Sequence, residues 1–302
     1  MEDEYISVYE YEKNVDPKLT NIPISQKNIN DCDYGITFIE FSDLYNMSHK
    51  CTTPNLLASF IKLSENNNLD LSNLQNNVNY INGSSHLFYI ITGKCKIILD
   101  NKEFFISSGD IFISPVFDSL SIQNIHNDDL KIYYINDSPL INFLGCLPTK
   151  KIFSPTVYKS EFLLDNLKNL SVENNNRKGI LLSNKDTEKI GNNTITPVLW
   201  ALYNELPPNT IQRPHRHNSV ALDLCIKCDD SDNIYTLIGD ELDEYGNIKN
   251  PQKINWNNSE MFITPPGLWH SHNNTGNTFA YILPIQDAGL LLYQRILGIE
   301  LT

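Results

Sequence analysis

The 302-residue sequence has no apolar run long enough to span a bilayer, so no membrane span is expected. Its start, Met1-Glu2-Asp3-Glu4, is acidic and leads into no hydrophobic segment, which argues against a secretory signal. Basic residues are scarce. The balance of 23 Lys and Arg against 36 Asp and Glu gives a net charge of −13. Such a surface repels polyphosphate, so nucleic acid and anionic membranes are poor partners. A disulfide framework is also missing, because Cys32, Cys51, Cys95, Cys146, Cys225 and Cys228 are scattered. Scattered thiols suit a reducing compartment, and the expected location is the cytoplasm.

Helical periodicity is rare as well. What is present is a succession of short apolar runs at 55–63, 86–91, 95–99, 111–114 and 131–135. Asn82-Gly83, Thr92-Gly93, Asp100-Asn101 and Ser108-Gly109-Asp110 separate them. Many short strands with turn residues between them indicate an all-β barrel or sandwich. Residues 139–190 differ: Leu163, Leu164, Leu167 and Leu170 fall at helical spacing, and Arg177-Lys178-Gly179 reads as a surface turn. The β pattern returns from Thr194 in a similar order, a weak internal repeat with a period of roughly 130–150 residues. The apolar run 290–297 reads as a short helix. These shifts divide the chain into an irregular N-terminal arm (1–45), a first barrel (46–145), a linker with a helix (146–192) and a second barrel (193–302).

Two stretches of the second half carry chemistry. In Gln212-Arg213-Pro214-His215-Arg216-His217 the two imidazoles stand two apart in an expected strand and share one face. In Thr264-Pro265-Pro266-Gly267-Leu268-Trp269-His270 a Pro-Pro-Gly turn ends one strand and launches another, delivering a third imidazole. Three neutral imidazoles on one face form a site for a divalent transition metal, and the alternative is three satisfied core histidines. By strand parity Asp223 points the same way as His215, His217 and Ala221, or else pairs with Arg213 or Arg216 as a structural bridge. Cys225-x2-Cys228 has half the spacing of a zinc knuckle with no second pair, so it reads as packing.

These residues resemble the cupin signature: His215-x-His217, then Pro265-x-Gly267-x2-His270-x3-Asn274, with Ser259 where Gly is usual. The wider run from Thr196 to Leu222, together with Trp269-His270-Ser271-His272, is similar to the gentisate 1,2-dioxygenase branch of bicupins. The resemblance implies two jelly-roll (double-stranded β-helix) cupin barrels. Most cupins add a Glu ligand where this chain has Ala221 and Leu222, so the implied metal set is His215, His217 and His270. The implied metal is Fe(II), with Zn, Mn or Ni as alternatives. His272 matches a His near the substrate, either as general base or as hydrogen-bond donor, with a surface role as the plain alternative. Asn204, Asp223 and Trp269 are the expected substrate contacts, with a turn or strand-end role for Asn204 and core packing for Trp269 as the plain alternatives. In the first half Gly109-x5-Pro115 survives, but Leu120 replaces the metal His, and Tyr80 and Asn82 fall near the missing His pair. His86 stands where the Glu would be, so the first barrel is expected to be metal-free and structural.

Where that branch tends to carry an Arg for a substrate carboxylate, this chain has Asp223, which favours a substrate with an amine, a hydroxyl or a cationic group. The leading expectation is an oxidoreductase using O2 on a small hydroxylated substrate, aromatic substrates included. A metal-dependent isomerase or lyase acting on a sugar or small acid, and a non-catalytic ligand-binding cupin, are the alternatives. The resemblance also implies a homodimer or larger homo-oligomer.

Overall fold

In the computed structural model, which describes residues 5–72, 81–171 and 176–302, the apolar runs become antiparallel strands in four sheets. Met1–Glu4 and Tyr80 lie outside the described residues. The first half contributes a six-stranded and a four-stranded sheet with a hydrophobic core between them, containing Ile97, Phe112, Ile122 and Tyr134. The second half pairs a six-stranded sheet with another built around Trp269–Asn274. Its smaller core contains Cys225, Ile238, Trp256 and Phe262. Among the described residues no hydrogen-bonded strand joins the two sheets of either half, so of the barrel or sandwich expected each half is a two-sheet sandwich with no closed barrel.

The two large sheets pack against each other through a third core that joins the halves: Leu87, Tyr89, Tyr133 and Ile135 on one side, and Leu222, Leu224, Leu283 and Ile285 on the other. This explains why 86–91 and 221–226 read as near-continuous apolar runs. Strands Ser85–Thr92 and Ala221–Lys227 are buried on both faces, one in the shared core and one inside their own sandwich.

The N-terminal arm differs from the expectation. Gln26–Asn28 pairs with Glu260–Thr264 of the second half, and Gly35–Ile39 pairs with Leu57–Leu63 of the first. Only residues 5–21 or so are an exposed arm, with one helical turn at Tyr11–Asn14. The linker helix forms at Ser160–Lys168 and buries Leu163 and Leu167. The C-terminal helix is Ala288–Gln294, and a short strand, Ile299–Leu301, follows it. No helix among the described residues is long and apolar enough to cross a membrane.

Buried asparagines repeat between the halves. Asn124 donates to the carbonyls of Leu63, Ser64 and Asp128, and Asn274 donates to those of Leu206 and Thr278, at 2.7–3.1 Å. The interiors above them diverge. In the first half Phe88 stacks on Tyr134 with centroids 4.4 Å apart, and His86 lies 4.8 Å from Phe117. His86 Nε2–H donates to the Gly83 carbonyl at 3.1 Å, so its Nδ1 accepts from the Tyr134 hydroxyl at 2.8 Å. Both nitrogens are engaged, as a structural role requires.

Burial lowers the His86 pKa from 6.5 to about 4. The unfolded chain therefore binds this proton first, and the stability contributed by the neutral ring is present above pH 6.5 and lost as pH falls toward 4. Neighbouring Asp137, raised by burial to about 6, works in the opposite sense, its contribution fading as pH rises from 3.8 to 6. Comparison with His86→Gln isolates the histidine. Between pH 7 and pH 5 the wild type should lose about 2 kcal/mol of unfolding free energy more than the variant in denaturant titrations. Parallel pH profiles would refute this account of His86.

Candidate metal centre

The strand His215–His217 lies between Trp269–Asn274 and Ile299–Leu301, with His215 opposite His270 and His217 opposite Ile299. The Pro-Pro-Gly turn brings His270 there. Gly267 adopts φ +80°, a conformation favoured in glycine, and its N–H donates to the His217 carbonyl at 2.7 Å. The turn thus ties one ligand strand to the other. Ring centroids are 4.1 Å apart for His215 and His270, 4.8 Å for His217 and His270, and 5.9 Å for His215 and His217. One nitrogen from each ring lies within 4.8 Å of the other two, so the three histidines expected from the sequence do converge.

Two rings are held in a defined tautomer. His217 Nδ1–H donates to the Ser219 carbonyl at 2.8 Å, and the Ser219 hydroxyl lies 3.1 Å from the same nitrogen and donates to Gln286 Oε1 at 2.7 Å. His270 Nδ1–H donates to the Leu268 carbonyl at 3.1 Å. Both therefore keep a bare Nε2 lone pair. His215 Nδ1 is buried and has no partner among the described residues. Burial is the main cause that lowers all three pKa values, so the rings are neutral. Neutral imidazoles with free lone pairs, one of them an orphaned buried nitrogen, fit a divalent transition metal.

His272 stands beside this set, 6.0 Å from His270 and 6.4 Å from His215 between centroids. Its Nδ1 is 2.8 Å from Thr236 Oγ1, which already accepts from Trp256 Nε1–H at 2.8 Å. That hydroxyl has a hydrogen to donate to a bare Nδ1 and a second lone pair to accept from Nδ1–H, so either tautomer of His272 is compatible with the contact. Burial first, then the Arg177 charge, lowers its pKa to about 3. At neutral pH His272 is therefore an uncharged ring.

The cavity beside the histidines holds about 190 Å³ and is lined by Asn204 and Asp223 as well. Asn204 sits mid-strand in Trp200–Leu206, opposite Gly179, where any Cβ would collide with its side chain. Asp223 is fully buried and accepts from the Thr264 hydroxyl at 2.6 Å, and burial raises its pKa to about 7. It pairs with neither Arg213 nor Arg216. Arg216 instead pairs with Glu300 at 2.6 Å and lies 4.6 Å over the Trp269 ring. Trp269, expected at the substrate, is on the opposite face of its strand from His270 and His272 and does not line the cavity.

The sequence reading missed Arg177. The stretch 177–179 is no surface turn: Lys178–Leu182 is a strand paired with Trp200–Leu206, and Arg177 and Gly179 line the cavity. It also missed Ser219 and Thr236, which are ordinary strand and turn residues until their partners are known. Ser219→Ala should weaken metal affinity about tenfold in chelator-competition titrations with Zn(II), because it cuts the link from His217 to Gln286. Thr236→Val should leave that affinity within about twofold, since His272 lies outside the ligand set. An equal loss in both variants would make His272 a fourth ligand.

No protein-family model matches the sequence, and no curated protein is similar to it. Solved structures do match. A variant of salicylate 1,2-dioxygenase from Pseudoaminobacter salicylatoxidans, in complex with gentisate, has a TM-score of 0.74 at 11% identity, covering 99% of this chain and 93% of that one. The same enzyme in gentisate adducts gives a TM-score of 0.73 with 92% of its chain covered. Vicilin from hazelnut (Corylus avellana) is more distant, with a TM-score of 0.51 at 10% identity over 87% of this chain and 83% of that one. At such identities the likeness establishes architecture: this chain has the two-cupin fold of the salicylate 1,2-dioxygenase structures.

Proposed function

We propose that the chain is a metal-dependent dioxygenase of the gentisate-dioxygenase type, acting with O2 on a small hydroxylated aromatic substrate at an Fe(II) held by His215, His217 and His270. The observation that carries this reading is the convergence of three neutral imidazoles on a buried cavity, with Ala221 lining the cavity where most cupins add a carboxylate ligand. Bound there, Fe(II) would offer open positions to both a chelating substrate and O2. The cavity volume of about 190 Å³ exceeds the ~150 Å³ void that accepts benzene, so one substituted ring fits. The solved relatives bound to gentisate point to the same substrate class.

The chain's own residues then divide the remaining work. Ser219 and the Leu268 carbonyl orient two ligands through their Nδ1 atoms. His272 lines the cavity, and in the tautomer with its proton on Nε2 it can donate to an oxygen of the bound substrate and stabilise negative charge developing there. The surrounding buried rings and strands limit water access. Cytoplasmic location and a homo-oligomeric state belong to the same reading. The exposed Tyr5, Ile6, Val8 and Tyr9 of the arm are the surface most in need of cover.

A set of three histidines also suits Zn(II) in Lewis-acid catalysis, so metal identity and oxygen chemistry decide. Anaerobically purified protein should contain about one iron per chain by mass spectrometry and consume O2 with hydroxylated benzoates in an oxygen electrode. His270→Ala should lose the metal and at least about 100-fold of the rate. Stoichiometric zinc without O2 uptake would replace the oxygenase by an isomerase or lyase, and failure to bind any metal would leave a ligand-binding protein.

A further inference from the structure

Of the ionisable side chains in the cavity lining outside the histidines, Lys178 is paired with Glu205, and Arg177 and Asp223 form no ion pair among the described residues. Arg177 Nη2 donates to the Arg213 carbonyl at 2.6 Å, which fixes the guanidinium. Its Nε and Nη1 are buried and have no partner among the described residues. It lines the same cavity as His215 and His272. A half-buried guanidinium with two inaccessible, unmet donors is costly unless an acceptor arrives, and a planar carboxylate matches its fork.

Asp223 offers the complement. It lies on Ala221–Lys227, and among the described residues its Oδ2 accepts the Thr264 hydroxyl alone and it forms no ion pair. A buried carboxyl with a single hydroxyl partner has acceptor capacity left, and repels any carboxylate placed against it. The positive and negative groups line one cavity without neutralising each other. Resting on the oxygenase reading of the same site, we propose that the cavity selects a bifunctional aromatic acid, with its carboxylate against Arg177 and a ring amine donating to Asp223.

This polarity is set by residues on two separate segments of the chain. The anion anchor comes from the linker, just ahead of Lys178–Leu182, where Lys178 is itself tied to Glu205 at 2.8 Å. The donor-reading group comes from the strand that packs the two halves together. The cavity therefore discriminates at both ends of the ring and not through the metal alone.

The test uses full-length protein loaded with Zn(II), so that binding is read without turnover, and calorimetry with three probes. These are 5-amino-2-hydroxybenzoate, 2-hydroxybenzoate (no amine) and 4-aminophenol (no carboxylate). The first should bind at least about tenfold more tightly than either of the others. Arg177→Gln should cut the advantage over 4-aminophenol to the part that chelation of the zinc supplies, while keeping that over 2-hydroxybenzoate. Asp223→Asn, which is isosteric, should do the reverse. Arg177→Lys, with unchanged circular dichroism and zinc content, should restore part of the carboxylate preference and so separate anion binding from folding. Equal affinity for all three probes, ratios unmoved by either substitution, or no binding by a protein that holds its zinc would each overturn the proposal. Oxygen uptake by the iron-loaded protein is an independent readout, so loss of this selectivity and loss of the oxygenase reading are told apart.

Discussion

The face parity of Ala221–Lys227 governs the second half. Leu222 and Leu224 enter the core that joins the two halves, and this forces Ala221, Asp223 and Cys225 to the inside of their own sandwich. Pairing with Glu260–Thr264 on one side and Ala280–Gln286 on the other locks the register. A slip of one residue would drive Asp223 into an apolar interface and pull two leucines out of it, so hydrophobic burial holds the cavity's chemistry in place. The imidazoles depend on this indirectly, since Gln286 reaches His217 through Ser219 from the strand paired to this one.

The two halves share a frame and differ in what fills it. In the first, aromatic rings and a doubly bonded histidine occupy the interior: Phe88 on Tyr134, and Phe104 within 4.9 Å of Phe112. In the second, smaller or polar side chains at Ala221, Asp223, Pro284 and Gln286 leave space beside the histidines. Leu120 and Ile122 are buried in the first core, whereas His270 and His272, placed likewise after the Pro-bearing strand end, line the second cavity. Close packing supports one half and an opening defines the other.

Much of this was legible in the residues. The period-2 spacing of His215 and His217, and the Pro-Pro-Gly turn before His270, carry enough local geometry to bring the ligands together. The substitutions at Leu120 and His86 likewise marked the first half as a filled shell. Trp269 was misassigned because a contiguous motif was taken as one functional unit, although strand alternation sends it away from its histidine neighbours. Arg177 was invisible because its position follows from which strand Lys178–Leu182 joins, a tertiary fact with no local periodicity. The three-residue strand Gln26–Asn28 is too short for any pattern to show, and its partner lies more than two hundred positions away.

That distant pairing sets the order in which the molecule can be assembled. Glu260–Thr264 sits between Ala221–Lys227 and Gln26–Asn28, and Gln26 meets Phe262 across the sheet. A nascent chain therefore holds its early strand in waiting until most of the second half has emerged, and closing so long a loop is slow and entropically costly. Until then Glu260–Thr264 presents a bare edge, able to pair with the same strand of another copy. The second half cannot be cut out as a self-contained unit without leaving that edge open. The late pairing of Gln26–Asn28 thus leaves aggregation through that edge as the competing outcome wherever synthesis or refolding stalls.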